Sequence, residues 1–156
     1  MEKTKRKDIR NNKNLLVRPF EKRDIQAIYS IIRETYFRPW TPEEILLENV
    51  FSYKIVLENN TQIIGFLFGE IIFEDANILM IAVKKEFQGK GYGKLLLDSF
   101  IKAAKEKGAK KIFLEVSTEN KPALKLYKKS SFKILSKRKR YYKNGDDAFL
   151  MALDIK

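Results

Sequence analysis

The chain contains no cysteine and no histidine. The first absence excludes a disulfide framework, a thiolate nucleophile and a cysteine-ligated zinc; the second excludes Ser-His-Asp triads and imidazole metal ligands. Catalysis, if there is any, must use carboxylate, hydroxyl, phenol, amine or backbone groups, and no metal is expected. Long apolar runs are missing as well. The opening segment is charged, Leu15-Leu16-Val17 is its first apolar cluster, and nothing later approaches the roughly 20 apolar residues of a membrane span. A soluble cytoplasmic protein without a membrane partner is expected. What is present is material for a core: 44% of the 156 residues are apolar, with 11 Phe and 7 Tyr, enough for one folded domain of this length.

Acidic residues are in deficit, 20 against 32 Lys and Arg, for a net charge of +12. The excess is localised. Residues 1–14 carry +4 and read as a basic disordered arm, whereas residues 15–120 hold fifteen basic and fifteen acidic side chains. Residues 121–143 hold ten Lys or Arg and no acid. Such a block either binds a polyanion or is a solvated face, depending on whether an anion site lies beside it.

Periodicity divides the remainder, residues 15–156, into one mixed α/β domain. Leu15–Pro19 reads as a strand and 22–36 as a helix with Ile25, Ile28, Ile31 and Ile32 on one stripe. Thr41-Pro42-Glu43-Glu44 is a capping box, and Trp40 and Ile45 stand at the positions of a hydrophobic staple. Residues 53–58 and 62–73 read as a hairpin about Asn59-Asn60, 74–77 as the next turn, and 78–83 as a buried strand. A helix over 91–107 ends at Gly108. A strand over 111–117, a helix over 120–129, and strands over 132–142 and 147–153 about Asn144-Gly145 complete the pattern.

Between the strand ending at Val83 and the helix from Gly91 lies Gln88-Gly89-Lys90-Gly91-Tyr92-Gly93. A glycine-rich turn entering a helix brings backbone N–H groups close to phosphate, and the helix N-terminus adds partial positive charge. The spacing fits neither the dinucleotide fingerprint nor the P-loop.

The turn and its surroundings resemble the GNAT acetyltransferase superfamily. Gln88, Gly91 and Gly93 meet its Q/R-x-x-G-x-G/A pattern. Leu79–Val83, Leu114-Glu115-Val116 and Asn120-Lys121-Pro122-Ala123-Leu124-Lys125-Leu126-Tyr127 continue the likeness. Arg140–Ala148, Met151-Ala152-Leu153 and Phe37-Arg38-Pro39-Trp40-Thr41 are similar to RimI-type ribosomal-protein alanine N-acetyltransferases.

The resemblance implies a GNAT fold: a mixed, mostly antiparallel sheet with a splayed central parallel strand pair, here 78–83 and 111–117, flanked by helices. It implies acetyl-CoA as cosubstrate. Ile81, Ala82 and Val83 would pair with the pantetheine arm, Gln88, Gly89, Lys90, Gly91, Tyr92, Gly93 and Lys94 would hold the pyrophosphate, and Asn120 would bond the cofactor by its side chain. Glu115 matches the general base and Tyr127 the general acid. The implied reaction acetylates a protein N-terminus, the alanine of a small-subunit ribosomal protein. Acetylation of a small amine or a lysine is the alternative within the chemistry. A basic RNA- or ribosome-binding module that keeps the fold without catalysis is the alternative outside it.

The residues suit acyl transfer to an amine. A carboxylate base fits an α-amine, with a pKa near 8, better than a lysine near 10.4. Burial in the apolar strand would raise the pKa of Glu115, and a phenol such as Tyr127 can protonate a thiolate. A backbone N–H near Val83 is the natural oxyanion donor. Tyr36, Trp40, Tyr141 and Tyr142 are candidate acceptor contacts, the last two on opposite faces of a strand, with Arg38 and Asp146 beside them. For Trp40 the staple suffices by itself. Glu70, Glu74 and Asp75 are alternative bases. Three departures from the family stand out: Ser131 where a glycine usually ends the helix, Ser117 in place of an Arg, and Met80 where many N-terminal acetyltransferases have Asn. Lys121, Lys125, Lys128 and Lys129 share a helix with Asn120 and Tyr127, and part of that block is expected to serve the phosphates of coenzyme A.

Overall fold

The structure is a computed structural model and describes residues 14–36 and 39–156. All of the expected arm except Asn14 lies outside the described residues, as do Phe37 and Arg38. Seven strands form one sheet: β1 (Leu15–Pro19), β2 (Ser52–Asn59), β3 (Gln62–Ile72), β4 (Asp75–Val83), β5 (Lys111–Ser117), β6 (Lys133–Arg138) and β7 (Ala148–Asp154), in the order β1-β2-β3-β4-β5-β7-β6. Four helices accompany them: α1 (Ile25–Thr35), α2 (Pro42–Leu46), α3 (Tyr92–Glu106) and α4 (Lys121–Lys129). β4 and β5 run parallel, as expected, and their ladder extends from Asp75–Lys111 to Ile78–Leu114. β4 therefore continues five residues, and β5 three, beyond the last rung. The contacts group into two compact units, one of the residues up to Phe68 with Met80–Phe100, the other of Gly69–Leu79 with Ile101–Lys156.

In the first unit the apolar stripe of α1 buries Ile28, Ile31 and Ile32 with Ile45, Val56, Phe66, Phe68, Met80 and Ala82. The helix expected from residue 22 begins instead as a 3-10 turn, Lys22–Asp24. Asp24 fixes that start: its carboxylate accepts from the Glu21 N–H at 2.8 Å and takes a bidentate bond from Arg18 of β1 at 2.8 and 2.9 Å. Arg18 Nε also reaches Glu58 of β2 at 2.9 Å. Burial alone would raise the Asp24 pKa, but the Arg18 bond and the Glu21 N–H hold it below the ordinary carboxylate value.

The capping box of α2 forms as read: Glu44 N–H donates to Thr41 Oγ1 at 3.2 Å and Thr41 N–H to Glu44 Oε1 at 3.1 Å. Trp40 packs with Ile45 in the core and stacks on Phe68 with centroids 6.0 Å apart. Lys54 closes the other end of α2 by donating to the carbonyls of Ile45 and Leu47, which the short helix leaves unpaired. Gly65 is required by proximity: a Cβ there would stand 3.0 Å from the Ala82 carbonyl and 3.2 Å from Leu96.

In the second unit, β4 begins at Asp75 rather than Ile78, because Asp75–Ile78 is the stretch that pairs with β5. The turn expected over 74–77 is therefore shorter, Phe73-Glu74, with Phe73 at φ 55°. β6 stops at Arg138, so the hairpin about Asn144-Gly145 is a nine-residue loop, 139–147, rather than a tight turn between long strands.

Helix α4 ends in a Schellman motif. Phe132 N–H bonds the Tyr127 carbonyl at 3.0 Å and Ser131 N–H the Lys128 carbonyl at 3.1 Å. Ser131 itself takes the left-handed conformation, φ 73°, where a glycine would be unstrained. Gly108, at φ 90°, ends α3 with the same pair of bonds, to Ala104 and Lys105. Among the described residues no helix is long and apolar enough to cross a membrane.

Candidate active site

In the first unit, Lys84 N–H donates to the Ile64 carbonyl of β3 at 2.8 Å. Alternation along the strand then turns the peptide groups of Ala82 toward β3 and those of Ile81 and Val83 to the other edge of β4. Ala82 is thus not a backbone partner for a ligand on that edge, a correction to the expectation that all three residues pair with one.

Side chains already satisfy most of what Ile81 and Val83 present there. The Tyr36 hydroxyl donates to the Ile81 carbonyl at 2.7 Å and accepts from its N–H at 3.1 Å. Gln88 Nε2 donates to the Val83 carbonyl at 2.8 Å. Tyr36, expected as an acceptor contact, is therefore a partner of the strand; a ligand pairing with Ile81 takes its place.

The glycine turn follows a 3-10 turn, Lys85–Phe87. Gly89 (φ 77°) and Gly91 (φ 89°) are both left-handed, and the space around Gly89 is open. The first α-helical bond of α3 runs from Leu95 N–H to the Gly91 carbonyl at 3.1 Å. The N–H groups of Tyr92, Gly93 and Lys94 precede it and so have no helical acceptor. This donor set suits a phosphate. Lys94 pairs with Asp98 at 2.6 Å, and the Lys90 ammonium lies 5.8 Å from the Phe87 ring centre.

In the second unit, Glu115 stands on β5 between buried Leu114 and Val116 but is itself exposed. It is not enclosed with them as expected, because strand alternation sends its side chain to the face opposite its neighbours. Its carboxylate is held at both oxygens: Tyr141 Oη donates to Oε1 at 3.2 Å, and Arg138 Nε lies 3.4 Å from Oε2. Tyr141 and Tyr142 belong to the loop, not to a strand with opposed faces, and their rings meet edge to face at 5.1 Å. Burial first, then the Glu115 charge, raises both phenols, Tyr142 up to about 12.

Asp146, grouped with the acceptor contacts, anchors this loop instead: it accepts from Ser117 Oγ at 2.8 Å and from Asn144 Nδ2 at 3.1 Å. Ser117 thereby ties the loop to the end of β5. Asn120 is the N-cap of α4, accepting from Ala123 N–H at 3.2 Å, rather than a residue of the helix. That bond uses its oxygen, so a cofactor would meet its amide NH2.

Tyr127 is 5% exposed, its ring packed against Phe132 at 5.7 Å. Lys121, Lys125, Lys128 and Lys129 are all exposed. Met80 is a core residue, 6% exposed. Of the alternative bases, Glu74 pairs with Lys110 at 2.9 Å and Asp75 opens β4 at its exposed end.

Sequence reasoning missed Arg138 and Ser117 as partners. Arg138 was legible only as one charge of a block, and no motif marks Ser117. Among the described residues no group of three or more Asp or Glu is placed to hold a metal ion.

The profile of the acetyltransferase (GNAT) family matches residues 25–132. A Bacillus subtilis (strain 168) protein, whose assignment as a ribosomal protein bS18-alanine N-acetyltransferase is provisional, is 36% identical over 143 residues, covering 89% of this chain and 95% of that one. The ribosomal protein bS18-alanine N-acetyltransferase of Haemophilus influenzae is 35% identical, with 81% and 87% covered. The crystal structure of the ribosomal-protein-S18-alanine N-acetyltransferase from Escherichia coli superposes with a TM-score of 0.85 at 27% identity, over 91% of this chain and 94% of that one. The glycine turn at the start of α3, the parallel β4–β5 pair and these likenesses agree, and the chain belongs to the GNAT family of acetyltransferases.

Proposed function

We propose that this acetyltransferase moves the acetyl group of acetyl-CoA to the α-amine of a protein N-terminus, and that the acceptor is the alanine of a ribosomal protein of the bS18 class. The observation that carries the reading is on β4. The peptide edge at Ile81 and Val83 is satisfied by the side chains of Tyr36 and Gln88, and it runs directly into a turn with two left-handed glycines and three helix-start N–H groups. An extended thioester arm with a pyrophosphate at its end matches that sequence of groups. The acceptor follows the named relatives, and a ribosomal acceptor would place the reaction in the cytoplasm.

Acetyl-CoA supplies an activated acyl group on a thiolate leaving group. The residues supply the rest. Gln88 to Lys94 hold the pyrophosphate by backbone N–H groups, and Asn120 offers its amide. The Val83 N–H is the donor for the oxygen on which negative charge develops. Glu115 receives the proton of the acceptor ammonium, directly or through water, which frees the nitrogen lone pair to form the C–N bond as the C–S bond breaks. Tyr127 gives a proton to the departing sulfur and is restored by the second proton that the acylated nitrogen releases. Trp40 stays with the core and Tyr36 with β4, and Tyr141 and Tyr142 line the acceptor's approach. The exposed lysines of α4 favour the cofactor's phosphates by long-range attraction, so added salt raises KM for acetyl-CoA.

The test is product mass after incubation with acetyl-CoA and two peptides: one with a free N-terminal Ala, the other N-blocked with an internal Lys. Acetylation of the first alone is expected. Acetylation of the second alone removes the N-terminal acceptor. No acetylation of either peptide or of a polyamine, together with salt-sensitive RNA binding, favours a binding module.

A further inference from the structure

Glu115 is exposed on its strand, yet neither oxygen is left to solvent alone. The reason is a register irregularity in β6. Ile134 pairs with Met151 and Ser136 with Leu150, so Leu135 is an extra residue, a β-bulge. Simple alternation from Ile134 would put Ser136 and Arg138 on its own face, that of Met151 and, across β7, Leu114. The bulge moves them to the opposite face. Ser136 then stands in line with Leu150 and Glu115, and Arg138 in line with Ala148 and Ser117. Arg138 is thereby the diagonal neighbour of Glu115 across β7, and its Nε approaches Oε2 at 3.4 Å.

The arginine is held in turn. Its guanidinium lies 5.5 Å from the centre of the Tyr141 ring, and the Tyr141 hydroxyl closes the cluster on Oε1. The charged and titratable groups that interact with Glu115 are Arg138 from β6 with Tyr141 and Tyr142 from the loop. At those positions β7 contributes only Leu150 and Ala148. Arg138 is the one cation of this set.

We propose that Arg138 is a positioning residue for the acetyl transfer: placed by the Leu135 bulge, it fixes the Glu115 carboxylate for the incoming ammonium. The proposal rests on the reading of Glu115 as the base. With both oxygens engaged the carboxylate is restrained, and its negative charge attracts the protonated acceptor, whose ammonium competes with the guanidinium for it.

The experiment measures kcat and KM against pH for the wild type, Arg138→Ala, Arg138→Lys, Glu115→Gln and the Arg138→Ala/Glu115→Gln double variant, using an Ala-initial peptide. The thermal midpoint of each checks folding. Arg138→Ala is expected to lower kcat several-fold at pH 7, with KM for acetyl-CoA unchanged. Arg138→Lys, which keeps the cation, is expected to restore most of kcat. In the Glu115→Gln background, Arg138→Ala should have no further effect. A profile for folded Arg138→Ala that superimposes on the wild type overturns the proposal, as does an equal loss with and without Glu115. Wild-type rates for Glu115→Gln alone would instead remove the base, and the proposal with it.

Discussion

Two arginine–carboxylate clusters, one in each compact unit, are made of similar groups and differ in their surroundings. Around Arg18 the side chains are nearly sealed: Asp24 is 3% exposed, and the guanidinium makes a two-point bond to it while also reaching Glu58. Around Arg138 the side chains are half open, 53% exposed for the arginine and 30% for Glu115, with a single ion-pair contact at 3.4 Å. A buried pair cannot lose one member without stranding the other charge away from water. An exposed pair can exchange its partner for a substrate. The first cluster is therefore suited to holding the fold and the second to the chemistry proposed for Glu115.

The comparison breaks most visibly at Arg18. Arg18→Ala leaves the Asp24 carboxylate buried without its cation and should cost about 3 kcal/mol. Differential scanning calorimetry should show a midpoint lower by roughly 10 °C. Arg138→Ala should cost less than about 1 kcal/mol, because exposed pairs are screened and solvated. If the two losses are equal, the contrast between the clusters is wrong.

The two clusters should also fail at opposite ends of the pH range. Asp24 has a folded pKa below its unfolded value of about 3.8. The stability it contributes is present above that value and is lost as the pH falls through the lower, folded one. Urea unfolding below pH 4 should show this slope, and Asp24→Asn should flatten it. Tyr142 has a folded pKa raised from 10.0 to about 12. Its contribution is present below pH 10 and is lost as the pH rises through about 12, so Tyr142→Phe should flatten the alkaline limb. The smallest effect concerns strain beside the second cluster. Ser131→Gly relieves the left-handed serine at the end of α4 and should raise stability by about 1 kcal/mol or less, because the unfolded chain also gains freedom. Gly108→Ala at the equivalent position of α3 should act in the opposite direction, with nothing near its Cβ to confuse the result.

The contrast extends to what could be read in advance. α1, the capping box at Thr41, the strand Lys111–Ser117 and the glycine turn all rest on local rules: periodicity, a side chain three residues from its cap, a backbone that only glycine adopts without strain. These were legible. The exposure of Glu115 was not, because the apolar residues around it suggested a buried strand while the single charged position faces outward. The loop carrying Tyr141 and Tyr142 was taken for strand because its residues favour β structure. Asp146 and Ser117, twenty-nine positions apart in sequence, hold it otherwise.

By itself, then, the sequence determined the order of elements, the glycine turn, the chemistry left open by the lack of Cys and His, and the family. Each of these is written in residue types or short spacings. Only the tertiary structure decided that Tyr36 and Gln88 occupy the open edge of β4, that Asn120 caps a helix, and that Arg138 rather than any other cation of the basic block meets Glu115. The last depends on one inserted residue in an edge strand. A bulge reverses the face of every side chain after it, and strand composition does not reveal where the register slips.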